Sequence, residues 1–141
     1  MTKLAADSST DQAGSRPAIS LDLVVLDTND PPRLAAFYNA LLGWQTELEE
    51  EDWITITGGP GARLAFQLAI NHKPPTWPDN AIPQQYHLDL RVDDLTSAAA
   101  YAESIGARRA GGAREGFIVF LDPSGLPFCL CDCVLGPGPG R

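Results

Sequence analysis

The residues best suited to chemistry in this chain lie close together in one short run. His87, Asp89 and Arg91 alternate with Leu88, Leu90 and Val92 within Tyr86–Asp94. Period-two alternation predicts a strand with the three apolar side chains on one face and an imidazole, a carboxylate and a guanidinium on the other. A histidine beside a carboxylate titrates near neutrality and can work as an acid or a base. An arginine fork can grip a carboxylate or phosphate, although the plainer reading of Arg91 is an exposed ion pair worth little. The run is therefore either an ordinary wet face or the floor of a site.

A second cluster is Cys129-Leu130-Cys131-Asp132-Cys133. On a strand these side chains point the same way, with i and i+2 about 6–7 Å apart, a poor geometry for a disulfide between neighbours. Three thiolates from one strand also cannot converge on a tetrahedral ion. The bland role is packing as small hydrophobes; a thiol offered by Cys129 to a ligand is the functional one. An odd, clustered count fits reduced thiols in the cytoplasm.

The elements that position these residues follow from pattern and punctuation. Ile19–Leu26 reads as a strand. Asn29 or Asp30 then caps a helix that opens on Pro31-Pro32, carries Leu34, Phe37, Tyr38, Leu41 and Leu42 at helical spacing, and ends at Gly43. Strands are expected at Trp44–Leu48, Trp53–Thr57 and Leu64–Ile70, the last two separated by the turn Gly58-Gly59-Pro60-Gly61. A loop holding Pro74, Pro75, Trp77, Pro78 and Pro83 comes next. The pattern then restarts: strand Gln85–Val92, a helix capped by Asp93 or Asp94 and stopped by Gly106, then strands Arg108–Ala110, Gly116–Leu121 and Pro127–Cys133.

The restart is a repeat. Leu23–Asp30 aligns with His87–Asp94, and Asp52-Trp53-Ile54 with Gly116-Phe117-Ile118, both at an offset of 64; Phe66-Gln67-Leu68 meets Phe128-Cys129-Leu130 at 62. The expected architecture is α+β, with tandem βαβββ modules at 19–70 and 85–134 and a proline-rich connection at 71–84. A disordered tail is expected at 1–18, where large apolar residues are scarce, and a flexible one at 135–141.

Composition narrows the function. With 44% hydrophobic and 20% charged residues the chain reads as an ordinary soluble globular protein. A net charge of −8 argues against sequence-independent binding to nucleic acid or to an anionic membrane. No apolar run approaches the roughly 20 residues of a membrane span, and no secretory signal opens the chain. Nucleophile-elbow and paired-acid signatures are missing, and the Gly58–Gly61 turn lacks the strand-to-helix context of a phosphate cradle.

Certain motifs carry a family likeness. Asp27-x-x-Asp30 followed by Leu34-Ala35-Ala36-Phe37-Tyr38 and Leu41-Leu42-Gly43-Trp44 resembles the first helix of the glyoxalase, bleomycin-resistance and extradiol-dioxygenase group, the vicinal oxygen chelate superfamily. His87–Asp94 and Phe120-Leu121-Asp122-Pro123-Ser124-Gly125-Leu126-Pro127-Phe128 resemble its second strand–helix start and its closing hairpin. The resemblance spans roughly Ser20–Asp132 and is strongest to the small bacterial glyoxalase-like branch.

The resemblance implies curled mixed sheets with helices on their outer face, a ligand in the concave cup and pairing of modules in a homodimer. In the enzymes of the group a divalent metal is held from the first and fourth strands of each module, positions that fall here on Leu23, Gln67, His87 and Cys129. Leu23 cannot ligate, which departs from the enzyme pattern. The expected function is thus binding of a small organic molecule, cationic or aromatic, without a native metal or other cofactor, by His87, Asp89, Gln67, Cys129, Leu23 and Trp77. The alternative is a divalent-metal lyase, isomerase or dioxygenase with the reduced ligand set His87, Gln67 and Cys129.

Overall fold

A computed structural model describes residues 16–111 and 115–132. The expected C-terminal tail and all but the last three residues of the expected N-terminal tail lie outside that range. The first module runs β1 (Val24–Thr28), α1 (Pro31–Leu42), β2 (Gln45–Glu50), β3 (Trp53–Gly59) and β4 (Ala62–Leu68). The second runs β5 (Leu88–Arg91), α2 (Leu95–Ser104), β6 (Arg108–Arg109), β7 (Phe117–Leu121) and β8 (Pro127–Cys131). This is the α+β arrangement of two βαβββ units that the repeat predicts.

Both helices begin where cap chemistry puts them. The Asp30 side chain accepts from the Arg33 N–H at 3.2 Å, and α1 opens on Pro31 and Pro32, where a missing N–H is harmless. Gly43, at φ +71°, closes α1 with its N–H bonded to the Asn39 carbonyl. Asp94 caps α2 by accepting from the Thr96 and Ser97 N–H groups.

The two sheets share one topology, β1-β4-β3-β2 and β5-β8-β7-β6, each with one parallel ladder and two antiparallel ones. β1 is later and shorter than the Ile19–Leu26 run suggests. Apolar alternation extends back through Leu21 and Ile19, but these two are 84% and 74% exposed and stand before the ladder begins at Val24. β5 likewise begins at Leu88 and not at Gln85.

The core lies between the modules. Tyr38 of α1 stacks on Phe66 of β4 (centroids 5.8 Å apart, planes at 11°), and Phe120 stacks on Phe128 in the other sheet (5.6 Å, 19°). Phe37 meets Tyr38 and Phe128 edge-on at 4.9 and 5.8 Å, joining the two stacks. Each ring buries roughly 150–250 Å², so this shared cluster supplies a large part of the hydrophobic stabilisation of both halves.

Polar groups sew the same seam. The buried Tyr38 hydroxyl donates to Asp122 Oδ2 at 2.7 Å. The Thr28 and Ser124 hydroxyls lie 2.6 Å apart, and the Tyr101 hydroxyl of α2 donates to the Ala40 carbonyl of α1 at 3.0 Å. Among the described residues no helix is long and apolar enough to cross a membrane.

Candidate functional site

The alternation around His87 resolves as a one-sided strand. Leu88, Leu90 and Val92 pack against the core, while His87, Asp89 and Arg91 face outward. His87 Nε2 lies 3.2 Å from Asp89 Oδ1. Asp89 stands directly opposite Cys129 in the parallel β5–β8 ladder. The donor atoms of His87, Asp89 and Cys129 all fall within 4.8 Å of one another. Cys129 forms the buried floor of this cluster, at 8% exposure, and keeps its thiol.

Cys131 differs from the expectation of three reduced thiols, because it is disulfide-bonded. β8 ends at Cys131, and Cys133, the third cysteine of that expectation, lies outside the described residues.

Equal ladder registers relate the two modules. Val24 pairs with Leu64, and Leu88 with Phe128, the same separation of 40 positions in each parallel ladder. At the offset of 64 that these pairs and the helix caps Asp30 and Asp94 share, Val25 opposite Ala65 is the counterpart of Asp89 opposite Cys129. The same offset keeps Leu23 as the counterpart of His87 and sets Asp27 against Arg91. Leu23 lies one position before β1 and is half-buried. Gln67 is exposed on β4 between Asp27 and Trp53.

A cavity of about 190 Å³ opens beside β1 under the inter-module loop. Val25, Asp27 and Leu126 line one part of it; His72, Lys73, Pro75, Pro83, Gln85 and Tyr86 line the rest. The loop is held by its own bonds, the Thr76 N–H to the Ile82 carbonyl at 2.8 Å and the Thr76 hydroxyl to Asp79 Oδ1 at 2.6 Å. It also rests on the β7–β8 turn, where Pro74 lies so close to Gly125 that a Cβ there would come within 2.7 Å of the proline. Trp77, half-buried in this loop, has an indole Nε1 with no hydrogen-bond partner among the described residues; Gln84 Oε1 is in the same position.

Electrostatics mark the seam behind the cavity. Asp122 is 1% exposed, and its burial raises its pKa although Tyr38 and the N–H groups of Leu126 and Ser124 donate to it. Tyr86 is pushed up to about 12 by burial first and then by the negative charges of Asp122 and Asp27. Its hydroxyl is thus a neutral donor at physiological pH, close to the Asp27 carboxylate.

Of the residues expected to form the site, the structure gathers His87, Asp89 and Cys129. Val25, Asp27 and Tyr86, which line the cavity, were not anticipated. The available signal was strand parity, because at the repeat offset of 64 Val25 and Asp27 share the face of β1 that Asp89 and Arg91 share on β5.

A family model described as Glyoxalase-like domain matches residues 23–131. The chain belongs to the glyoxalase-like domain family. Its fold is also that of a glyoxalase/bleomycin resistance protein/dioxygenase family enzyme from Burkholderia phytofirmans PsJN (TM-score 0.63, 17% identity, covering 79% of this chain and 97% of that one). A bleomycin-binding protein complexed with bleomycin matches at TM-score 0.55 and 19% identity, over 82% of this chain and all of that one. The fosfomycin resistance protein FosX of Listeria monocytogenes, complexed with Mn(II) and sulfate, matches at 0.63 and 13%, over 84% and 93%. At such identities the likeness is one of fold. No curated protein matches the sequence.

The donor chemistry of this glyoxalase-like chain can be set against the metal its resemblance implies. A hard octahedral ion such as Mg(II) or Mn(II) favours oxygen donors. Here the first module offers the aliphatic Leu23 at the position equivalent to His87, and the second offers a thiol at Cys129. The set does not fit that ion.

Proposed function

We propose that this protein binds a small organic molecule in the cavity between β1 and the inter-module loop. The observation that carries the reading is the lining: the Asp27 carboxylate and the neutral Tyr86 hydroxyl set among Val25, Pro75, Pro83 and Leu126. Largely apolar walls with a few polar groups are the usual make-up of a small-molecule site. The volume is below the roughly 300–1,000 Å³ of drug-sized pockets, so it suits a small ligand or the end group of a larger one. Asp27 and the Tyr86 ring favour a cationic or aromatic group, and the net charge of −8 draws cations toward the protein. Lys73 is exposed, and its long stem allows its ammonium to stay in water. The bleomycin complex of a fold relative is consistent with an organic ligand in this scaffold.

The alternative, a divalent-metal lyase, isomerase or dioxygenase, asks for donors where the first module carries Val25 and Leu23, and the binding reading needs none. Pairing into a homodimer accords with the exposed Leu21 and Ile19 and with Leu48, 45% exposed on the edge strand β2.

The experiment is a thermal-shift screen of small cationic, aromatic and dicarbonyl compounds, with hits measured by calorimetry. Asp27→Asn should weaken a cationic hit at least tenfold, and Tyr86→Ala should weaken an aromatic one similarly. Hits indifferent to both substitutions would sink the reading. Light scattering on the wild type reports whether the mass is that of one chain or two.

A further inference from the structure

We propose that the cavity beside β1 takes a small aliphatic amino acid, its ammonium held by Asp27 and its carboxylate by Lys73 and His72. This rests on the reading that the cavity binds an organic molecule, and it names the charges that molecule carries.

Both signs of charge line this one cavity without meeting. Asp27 belongs to the sheet wall, while Lys73 and His72 belong to the loop wall. Elsewhere on the surface opposite charges pair: Arg63 with Glu47 and Asp22, and Arg109 with Glu103. Among the described residues, neither the Asp27 carboxylate nor the Lys73 ammonium has an ion-pair or hydrogen-bond partner. Two opposite charges set apart on facing walls are complementary to a ligand that carries the reversed pair.

The neutral polar groups of the lining are unspent in the same way. The Tyr86 hydroxyl, the Gln85 amide and the His72 ring make no hydrogen bond to other described residues. In the seam behind them the polar groups are satisfied: Asp122 accepts from Tyr38, Ser124 and Leu126, and Thr28 meets Ser124. Donors and acceptors are thus used up in the core and left over at the cavity wall, the pattern of a ligand site.

Size and rigidity agree. The volume of about 190 Å³ is about six waters at ~30 Å³ each, which suits the bulk of a short aliphatic amino acid. Val25, Pro75, Pro83 and Leu126 supply apolar wall for its carbon chain. The His72 N–H donates to the Ala69 carbonyl at 3.0 Å, and Pro74 rests on the Gly125 turn, so Lys73 is anchored on both sides before a ligand arrives.

The test is calorimetric titration of the full-length protein with L-valine and γ-aminobutyrate, each set against its single-charge relatives. These are isobutylamine and isovalerate for the first, propylamine and butyrate for the second. At least one amino acid should bind tenfold or more tighter than both of its relatives. Asp27→Asn should weaken that amino acid and its amine at least tenfold, without weakening the carboxylate relative. Lys73→Met should weaken the amino acid at least fivefold and leave the amine unchanged. An amine that binds as tightly as its amino acid, with Lys73→Met affecting neither, overturns this proposal but leaves a cationic-ligand site in the cavity. Failure of both amino acids to bind also overturns it, and the thermal-shift hits then report separately whether the cavity takes any organic molecule. Phosphoethanolamine, with a phosphate in place of the carboxylate, overturns the assignment if it binds more tightly than both amino acids. Asp27 and Lys73 are exposed, so neither substitution empties the core.

Discussion

Tyr38 Oη and Asp122 Oδ2 lie 2.7 Å apart, a hydrogen bond between the first helix and the last hairpin with both residues 1% exposed. Tyr38→Phe keeps the ring in its stack on Phe66 but leaves the carboxylate short of one donor. Hydrogen bonds to a charged acceptor contribute roughly 1.5–3 kcal/mol. Urea denaturation should show a loss of that size with an unchanged m-value, and a loss below about 0.5 kcal/mol would mean that the bond has little net worth.

The same carboxylate gives a pH dependence with a definite sign. Burial raises the Asp122 pKa in the folded protein above the ordinary aspartate value of about 3.9. The folded state then holds a proton more tightly than the unfolded one. Its contribution to stability is complete below the ordinary value and is lost as pH rises through the raised value. Asp122→Asn removes this proton, so the stability difference between variant and wild type should shift in the variant's favour across that window. Denaturation midpoints measured from pH 3.5 upward check it; a difference that stays flat or moves the other way contradicts it.

Gly125 links the turn to the loop over the cavity. At φ +87° it occupies a conformation that L side chains rarely adopt, and a Cβ would come within 2.7 Å of Pro74 Cβ. Gly125→Ala should destabilise the protein by about 1–3 kcal/mol through strain and crowding. It should also lift the 71–86 loop, increasing amide exchange there while β3 and β4 stay protected.

Phe128 joins the aromatic stacks of the two modules. Phe128→Ala should cost about 3–5 kcal/mol, the usual range for emptying a buried aromatic site. Because the ring touches Phe37 and Tyr38 as well as Phe120, the midpoint seen in both modules should fall together. A drop confined to the second module would show that the halves fold independently.

Much of this architecture is written in the chain itself. Asp30 with Pro31-Pro32, Gly43 and Asp94 fix helix ends through local hydrogen bonds and backbone freedom, interactions that need no distant partner. The repeat and the split of Leu88, Leu90 and Val92 from His87, Asp89 and Arg91 were legible for the same reason: side-chain alternation is a local property of a strand. What only the tertiary structure decided is register. Apolar alternation from Ile19 to Leu26 cannot say where pairing starts, because a strand exists only against its neighbour, and β4 meets the chain first at Val24. The two parallel ladders set Asp27 opposite Gln67 and Asp89 opposite Cys129, and packing left the 71–86 loop roofing a cavity beside Asp27. Contacts across 40 to 96 positions arise from packing between elements, and no local pattern encodes them.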